Sequence, residues 1–382
     1  MSWARDDAKL DRVRVLMADE GLDALVVRAP DNVLYLTNFW SMKGYDACVF
    51  PREGDPVLIC LEASAEDAAR NAWTQDVRYV RGYDEGDPRP VPARTLEAAF
   101  GVASGRIGLE LSLGTQASDR MVGEPTTFTK AWFDAWPVAA DAAPLLARAR
   151  MIKTEQEVAR LRIANEIAAQ AMHHVRRRIE PGMRESEAAA IWQGYVHGQG
   201  TARDDVELAL PFSLVWAGRG IKTFTATSDR AIVEGEPVLF EIWVCADGYW
   251  ADHTKNLVLG ELTAEYAELE EQLMAVYTDG CDCIHSHHSM AELDRFVRER
   301  LAEIGYPGQP SHPICHGVGA RAHEPPYPHQ AAGGEFEENM VLAVEPGVYW
   351  AGGGGLRLED NFLVTADGVE KLSAFPDGIV RC

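Results

Sequence analysis

The first part of the chain alternates between helical and strand-like hydrophobic patterns. Apolar side chains recur among charges near helical spacing over residues 6–20, and Ala24, Leu25, Val26 and Val27 then form a short apolar run typical of a buried strand. Further apolar runs follow at 47–50, 56–60 and 106–109. Helical patterns lie between them at 63–72 and 92–101. This alternation predicts an α/β layer domain covering residues 1–148.

A different pattern begins after residue 148. Thr154 and Glu157 have the spacing of a capping box, which satisfies free backbone N–H groups where a helix begins, and a long helical stripe follows. A second helix is predicted at about 184–198, then a strand-rich stretch at 210–260, two helices within 264–304, and strands to the C-terminus. The pattern therefore predicts a second, α+β domain over residues 149–382.

Composition and charge narrow the classes of function. The 382 residues are 47% hydrophobic and 25% charged, which is typical of a globular protein. The net charge of −23 argues against nucleic acid and anionic membranes as partners. Seven cysteines, an odd number without paired spacing, favour a reducing cytoplasm, and no apolar run reaches the length of about 18 residues that spans a bilayer.

Two acidic residues flank a predicted hairpin in the second domain. Asp247-Gly248 is a strong signal for a tight turn between two apolar strands. A turn with an even number of residues pairs 243 with 252 and 241 with 254, so that Glu241 and Asp252 lie diagonally on one face of the sheet. A three-residue turn would send them to opposite faces. The Asp-Gly sequence favours the even turn.

A second predicted hairpin carries another acidic pair. Glu345 and Glu359 lie in apolar segments on either side of the run Gly352 to Gly355, so the two carboxylates are expected to face each other. Between the two hairpins, His316 is followed by small residues that let the backbone approach a ligand closely. Burying an uncompensated carboxylate costs on the order of several kcal/mol of folding free energy. A bound cation would remove that cost. Exposed strand faces or salt bridges are the alternative interpretation of any single acid.

These motifs together resemble the creatinase, prolidase and aminopeptidase P superfamily, which has the pita-bread fold. The resemblance covers most of the chain and implies a creatinase-like N-terminal α/β domain before a pita-bread catalytic domain. In that superfamily two carboxylates eleven residues apart, a His in a His-Gly-x-Gly run, a Glu before Pro-Gly and a Glu in an Arg-x-Glu-Asp run bind two metal ions. The corresponding positions here are Glu241, Asp252, His316, Glu345 and Glu359.

The resemblance also implies roles around the metal site, and the chain departs from the pattern at two positions. His323 matches the second active-site histidine, which contacts substrate, and Glu345 is the expected proton acceptor. The peptidases normally carry Asp where this chain has Glu241, and Phe224 stands where they carry a substrate-contacting histidine. We expect Phe224, His323 and Trp216 to contact the substrate. Trp216, Trp243 and Trp250 lie in or near the same strands, where aromatic side chains either form a wall for an apolar ring or an alkylated cation or pack in the core.

The sequence therefore predicts a metal-dependent hydrolase that cleaves an amide or C–N bond, similar to an Xaa-Pro dipeptidase or aminopeptidase with a modified site. Two divalent ions are expected, manganese first, with iron, cobalt or zinc as alternatives. One rival is a non-peptidase relative of the ectoine hydrolase, creatinase or dimethylsulfoniopropionate lyase type, acting on a small cyclic or cationic metabolite. The other is a non-catalytic pita-bread binding protein. A small molecule or dipeptide is the expected partner, and the resemblance implies a homodimer.

Overall fold

The computed structural model describes residues 3–40, 45–87, 89–111, 126–204, 206–223 and 225–382, and for 126–129 the backbone alone. The chain divides into two compact units, Met1–Arg150 and Met151–Cys382. Among the helices of the described residues, none combines the length and the apolar content needed to cross a membrane. Phe224 lies outside the described residues, so its predicted contact with substrate stays a prediction.

The first unit is a mixed six-stranded sheet with helices on both faces. Its described elements are α1 (Asp7–Asp19), β1 (Ala24–Val27), α2 (Pro30–Thr37), β2 (Ala47–Pro51), β3 (Val57–Leu61), α3 (Ala65–Asn71), β4 (Val77–Val80), α4 (Val91–Val102), β5 (Ile107–Leu109), α5 (Thr126–Ala135), β6 (Ala140–Asp141) and α6 (Ala143–Met151). The strands run in the order β4-β3-β2-β1-β5-β6, with β1 antiparallel to β2 and parallel to β5.

Alternating side chains of this sheet supply two cores, one on each face. Leu25 and Val27 of β1 belong to the core that includes α1, α2 and α6. Ala24 and Val26 belong to the core that includes α4 and Trp132 of α5. The unit is therefore an α/β layer structure, and the α/β prediction for this part of the chain is confirmed.

The second unit has two pairs of helices and two larger sheets. Its described elements are α7 (Glu155–Arg176), α8 (Glu185–Tyr195), β7 (Ala209–Ala217), β8 (Pro237–Ala246), β9 (Tyr249–Val258), α9 (Ala264–Asp282), α10 (Met290–Glu303), β10 (Cys315–Gly317), β11 (Val341–Val344), β12 (Gly347–Tyr349), β13 (Gly355–Arg357), β14 (Asp360–Val364), β15 (Val369–Lys371) and β16 (Ile379–Arg381). The predicted capping box of Thr154 and Glu157 is present at the start of α7.

Each of the two four-stranded sheets of this unit packs against one helix pair. The first sheet has the order β16-β9-β8-β7, and Phe240, Ile242 and Val244 of β8 join α7 and α8 in one core. The second has the order β10-β11-β14-β15, and its apolar side chains join α9 and α10 in another. Because side chains alternate along a strand, Glu241 and Trp243 of β8 lie on the face turned away from α7 and α8.

Candidate metal centre

The first hairpin places two of the predicted ligands side by side. Asp247 and Gly248 have φ values of 46° and 86°, which is the backbone of a two-residue hairpin turn. Glu241 pairs with Thr254 and Trp243 pairs with Asp252. The predicted register is therefore confirmed, and the carboxylates of Glu241 and Asp252 lie diagonally on the same sheet face.

The second hairpin brings the other two carboxylates opposite each other. β11 pairs with β14, with Val344 opposite Asp360, and β12 pairs with β13, with Gly347 opposite Arg357. The same register places Glu345 opposite Glu359, as predicted. The first residue of β13 must be glycine, because a Cβ on Gly355 (φ 147°) would lie 2.1 Å from the carbonyl oxygen of Val348.

His316 joins the two hairpins at the centre. It lies on β10, opposite Ala343 of β11, and its Nε2 is 3.7 Å from Oδ2 of Asp252 and 3.6 Å from Oε1 of Glu345. The small residues after it are required by packing, since a Cβ on Gly317 would lie 2.4 Å from the carbonyl oxygen of Pro325. Burial lowers the pKa of His316, so its imidazole is neutral, which is the form that binds metals.

The five predicted ligands form one buried cluster of donors suited to divalent cations. None of them is more than 7% exposed. Together with His323, their donor atoms form three overlapping groups within 4.8 Å: Asp252, His316 and His323; His316, Glu345 and Glu359; and Glu241, Asp252 and Glu359. Burial, and then the neighbouring charge of Glu359, raises the pKa of Glu345 well above its ordinary value. Four buried carboxylates and a neutral imidazole offer the oxygen and nitrogen donors that divalent cations prefer. These residues therefore fit a metal site.

His323 lies beside the centre with a ring nitrogen available. Its ring stacks on that of His316 with centroids 4.1 Å apart, and its Nε2 is 3.6 Å from Oδ2 of Asp252. Burial, and then His316, lowers the pKa of His323 to about 2. Its Nδ1 has no hydrogen-bond partner among the described residues. The following residue, Glu324, forms a buried ion pair of 2.9 Å with Lys153, which holds the loop in place.

A network around the carboxylates was not predicted from the sequence. Thr254 Oγ1 lies 2.8 Å from Oε2 of Glu241 and 2.7 Å from Oε2 of Glu359, so its hydroxyl donates to one of them at a time. Arg357 donates from Nε to Thr254 Oγ1 at 2.6 Å and forms an ion pair with Glu241. Burial lowers the pKa of Arg357 to about 10, which leaves it a cation at neutral pH. One signal in the sequence was available. Arg357 and Glu359 are two residues apart in an extended segment, so their side chains are expected on the same face.

His312 is a second residue that the sequence analysis missed. Its Nδ1 is 3.3 Å from Oε2 of Glu345, and its Nε2 is 3.0 Å from the hydroxyl of Tyr349. Arg357 donates to that hydroxyl at 3.1 Å. Burial lowers the pKa of His312 to about 4. A neutral imidazole therefore sits behind Glu345, and its position four residues before His316 was the only signal.

The predicted aromatic contact Trp216 lies on the same sheet but is buried. Trp216 pairs with Leu239, and its Nε1 donates to the carbonyl oxygen of Thr225 at 3.2 Å. It packs with Ile221 and Leu239 in a small apolar cluster. Trp216 thus lies on the same sheet face as Glu241, and its predicted contact with substrate stays a prediction.

The two hairpins, the outer helix pairs and the buried donor set define a protein of the pita-bread class with a candidate metal centre. The model of the family "Metallopeptidase family M24" matches residues 159–366, and the model of the "Creatinase/Prolidase N-terminal domain" matches residues 9–152. The chain belongs to metallopeptidase family M24. The predicted fold, a creatinase-like N-terminal domain before a pita-bread domain, is confirmed.

Individual relatives are similar along almost the whole chain. An uncharacterised peptidase of Bacillus subtilis (strain 168), YqhT, is 26% identical over 97% of this chain and 99% of its own length. An Xaa-Pro dipeptidase of Lactobacillus delbrueckii subsp. lactis is 26% identical over 94% of this chain and 95% of its own. The structure of an Xaa-Pro dipeptidase from Bacillus anthracis, 22% identical, matches with a TM-score of 0.81 over 98% of this chain and 99% of that one.

Proposed function

We propose that this protein is a dinuclear metal-dependent peptidase that hydrolyses the amide bond before proline in a dipeptide or short peptide. The observation that carries the proposal is the buried cluster of Glu241, Asp252, His316, Glu345 and Glu359, whose donor atoms overlap in groups of three. The similarity to an Xaa-Pro dipeptidase supports this substrate class. A homodimer in the cytoplasm is part of the same proposal.

The overlapping groups suggest how two ions would share the donors. Asp252, His316, Glu345 and Glu359 would hold one, and Glu241, Asp252 and Glu359 the other, with Asp252 and Glu359 common to both. Carboxylates and one imidazole suit manganese first, and iron, cobalt or zinc next. When bound, such ions polarise the scissile carbonyl and make a water molecule acidic enough to act as a nucleophile near neutral pH.

The chain's own residues supply the proton transfers. Glu345, whose pKa is raised by burial and by Glu359, accepts the proton of the attacking water and returns it to the leaving amine. His312 lies behind Glu345, with its Nδ1 3.3 Å from Oε2, and its Nε2 contacts the hydroxyl of Tyr349. His323, with its Nδ1 available, contacts the substrate and stabilises the charge that develops on the carbonyl oxygen.

One observation favours a second candidate function. Arg357 forms an ion pair with Glu241, so one predicted metal ligand already has a cationic partner within the chain. A centre altered in this way also fits a non-peptidase relative that opens a C–N bond of a small cyclic or cationic metabolite. The peptidase is preferred because all five donors are buried together.

Metal content and substrate hydrolysis test the proposal together. Protein dialysed against Mn²⁺ should contain close to two ions per chain and should hydrolyse Xaa-Pro dipeptides, with activity lost after chelation and restored by Mn²⁺. Hydrolysis of a cyclic or cationic small amide, with Xaa-Pro dipeptides left intact, would select the second candidate. A folded protein that takes up no metal would overturn the metal-dependent peptidase.

A further inference from the structure

One arginine of α10 holds the short segment before β10, residues 309–312, which we call the histidine loop. Arg298 donates from Nη1 to the carbonyl oxygens of Pro310 at 2.8 Å and Gln309 at 3.4 Å, and from Nη2 to that of His312 at 3.3 Å. Its Nε donates to Oδ1 of the buried Asp294 at 3.0 Å, one helical turn earlier. Because a guanidinium carries its donors in a rigid planar fork, these bonds together fix the backbone of the loop against α10.

The histidine loop is also tied to β12, through the side chain of Gln309. The Nε2 of Gln309 donates to the carbonyl oxygen of Tyr349 at 2.6 Å, and its Oε1 accepts from the backbone N–H of Tyr349 at 3.0 Å. The amide thereby pairs with both backbone groups of one residue, as a neighbouring strand would. The hydroxyl of Tyr349 in turn lies 3.0 Å from Nε2 of His312. Gln309 thus joins the loop to the residue that the loop's own histidine contacts.

The contacts of His312 determine which of its ring nitrogens carries the hydrogen. Its Nδ1 lies 2.7 Å from the carbonyl oxygen of Pro313, which can only accept, so the hydrogen of the neutral ring is on Nδ1. Nε2 then accepts from the hydroxyl of Tyr349. The same Nδ1 is 3.3 Å from Oε2 of Glu345. His312 therefore turns the N–H side of its ring to the carboxylate that is proposed to transfer protons.

The two clamps end on the two residues that lie behind Glu345. Arg298 bonds to the backbone of His312, and Gln309 bonds to both backbone groups of Tyr349. Neither Arg298 nor Gln309 belongs to the cluster of metal donors, and the side chain of Arg298 is 27% exposed. Their route to Glu345 therefore runs through the imidazole and the phenol. A ring displaced by about 1 Å would no longer face the carboxylate in the same way.

We infer that Arg298 and Gln309 are positioning residues that hold His312 in the orientation and tautomer in which it faces Glu345, an inference that rests on the proposed peptidase function. Arg298 acts through the backbone of the histidine loop, and Gln309 acts through Tyr349. Loss of either bond set lets the His312 ring turn, which slows proton transfer by Glu345 and leaves the substrate contact of His323 in place. The signature is a lower kcat with little change in KM.

Steady-state hydrolysis of the dipeptide Leu-Pro by the Mn²⁺-loaded protein tests both residues. Arg298→Lys keeps a positive charge beside Asp294 but has no fork to reach several carbonyls, so kcat should fall about 10-fold with KM within about twofold. Gln309→Glu keeps the size of the side chain but sets an oxygen against the carbonyl of Tyr349, and a similar fall of about 10-fold in kcat is expected. An unchanged kcat in either variant would overturn the role of that residue.

The same helix offers a matched control. Arg295 of α10 is exposed and pairs with Glu292 at 3.5 Å, so Arg295→Lys makes the same change within a helical ion pair away from the loop. It should leave kcat unchanged, and a fall as large as that of Arg298→Lys would overturn the assignment to the histidine loop. Thermal unfolding curves show whether each variant folds, and if Arg298→Lys does not, Gln309→Glu carries the test.

The ring of His312 provides a readout that needs no enzyme activity. NMR of the metal-free protein with isotope-labelled histidine, at about pH 8 where imidazole is neutral, reports which ring nitrogen carries the hydrogen, with His312→Gln to assign the signals. The parent should show hydrogen on Nδ1, and Arg298→Lys and Gln309→Glu a mixture of tautomers. That mixture, with a parent that hydrolyses no dipeptide, would overturn the peptidase and support the positioning role. Slower hydrolysis with an unchanged tautomer would overturn the positioning role and leave the peptidase standing.

Discussion

Two neighbouring acids, Glu359 and Asp360, lie in opposite electrostatic surroundings. Adjacent side chains of an extended segment point to opposite sides, so the two carboxylates, both buried, meet different neighbours. Glu359 faces the other carboxylates of the metal centre, including Glu345. Asp360 forms ion pairs with Lys255 and with Lys371, the latter at 3.1 Å. The fold thus surrounds Asp360 with cations, whereas Glu359 lies among acids with one cation nearby, Arg357, whose Nε is 3.8 Å from Oε2 of Glu359.

The pKa values of Asp360 and of Glu345, the acid that faces Glu359 in the metal centre, shift in opposite directions. Burial acts to raise the pKa of Asp360, but the charges of Lys255, His253 and Lys371 outweigh it and hold that pKa well below its ordinary value. For Glu345, burial and Glu359 act together and raise the pKa. Asp360 is thus compensated by lysines of the chain, whereas the ion-pair contacts of Glu345 in the described residues are to His312 and His316, both neutral imidazoles. A cation from outside would remove the cost of that buried carboxylate.

Removing the cation of the compensated group should have the largest effect on stability. Lys255→Met leaves Asp360 with less compensation in the interior, and we expect the free energy of unfolding to fall by about 3–5 kcal/mol. Urea unfolding of the metal-free protein measures it. Lys130, in an exposed ion pair with Asp134, is the matched control, and Lys130→Met should cost less than about 1 kcal/mol. A loss for Lys255→Met as small as that of the control would contradict the comparison.

The uncompensated group should respond in the opposite way. Glu345→Gln removes one negative charge from the carboxylate cluster, so the metal-free protein should be as stable as the parent or more stable by about 1 kcal/mol. Under the proposed function the same change should lower kcat about 100- to 1,000-fold, because the proton acceptor is lost. Unfolding curves and steady-state hydrolysis of Leu-Pro provide the two readouts.

The exposed Glu338, a few residues before β11, gives the control for that substitution. Glu338→Gln should change neither the stability nor kcat. If Glu345→Gln instead destabilised the metal-free protein by several kcal/mol, the carboxylate would have a structural partner, and the idea of a charge kept for a metal would be wrong.

The parts of the site fixed by local geometry could be predicted from the sequence. A two-residue Asp-Gly turn determines the register of β8 and β9, so the diagonal placement of Glu241 and Asp252 follows from the sequence alone. The glycine run between Glu345 and Glu359 allowed the same reasoning for the second hairpin. The α/β layers of the first unit followed from the alternation of the hydrophobic pattern.

The parts that depend on packing between hairpins could not be predicted. Arg357 reaches Thr254 across 103 positions of the chain, and Lys255 reaches Asp360 across 105. No periodicity relates residues so far apart, so the network around the carboxylates and the compensation of Asp360 appear only in three dimensions.

The smallest expected effect concerns Glu241, a predicted metal ligand that also forms an ion pair with a cation of the chain. Its Oε2 accepts a hydrogen bond from Thr254 at 2.8 Å and forms the ion pair with Arg357. A carboxylate oxygen engaged by a guanidinium is less available to a metal. Under the proposed function, the ion at Glu241, Asp252 and Glu359 should therefore be the weaker of the two. Shortening Glu241 by one methylene would draw its carboxylate back from Arg357 by roughly 1.5 Å.

Glu241→Asp should therefore strengthen binding of the weaker ion, by about 10-fold or about 1.4 kcal/mol, with the tighter ion unaffected. Isothermal titration of the metal-free protein with Mn²⁺ resolves the two affinities without any enzyme assay. Glu265, an exposed glutamate 3.5 Å from Arg219, provides the matched change, and Glu265→Asp should leave both affinities as they are. Weaker binding in Glu241→Asp would show that the longer side chain is needed to reach the ion, and Arg357 would then be a support for Glu241 and no competitor of the metal.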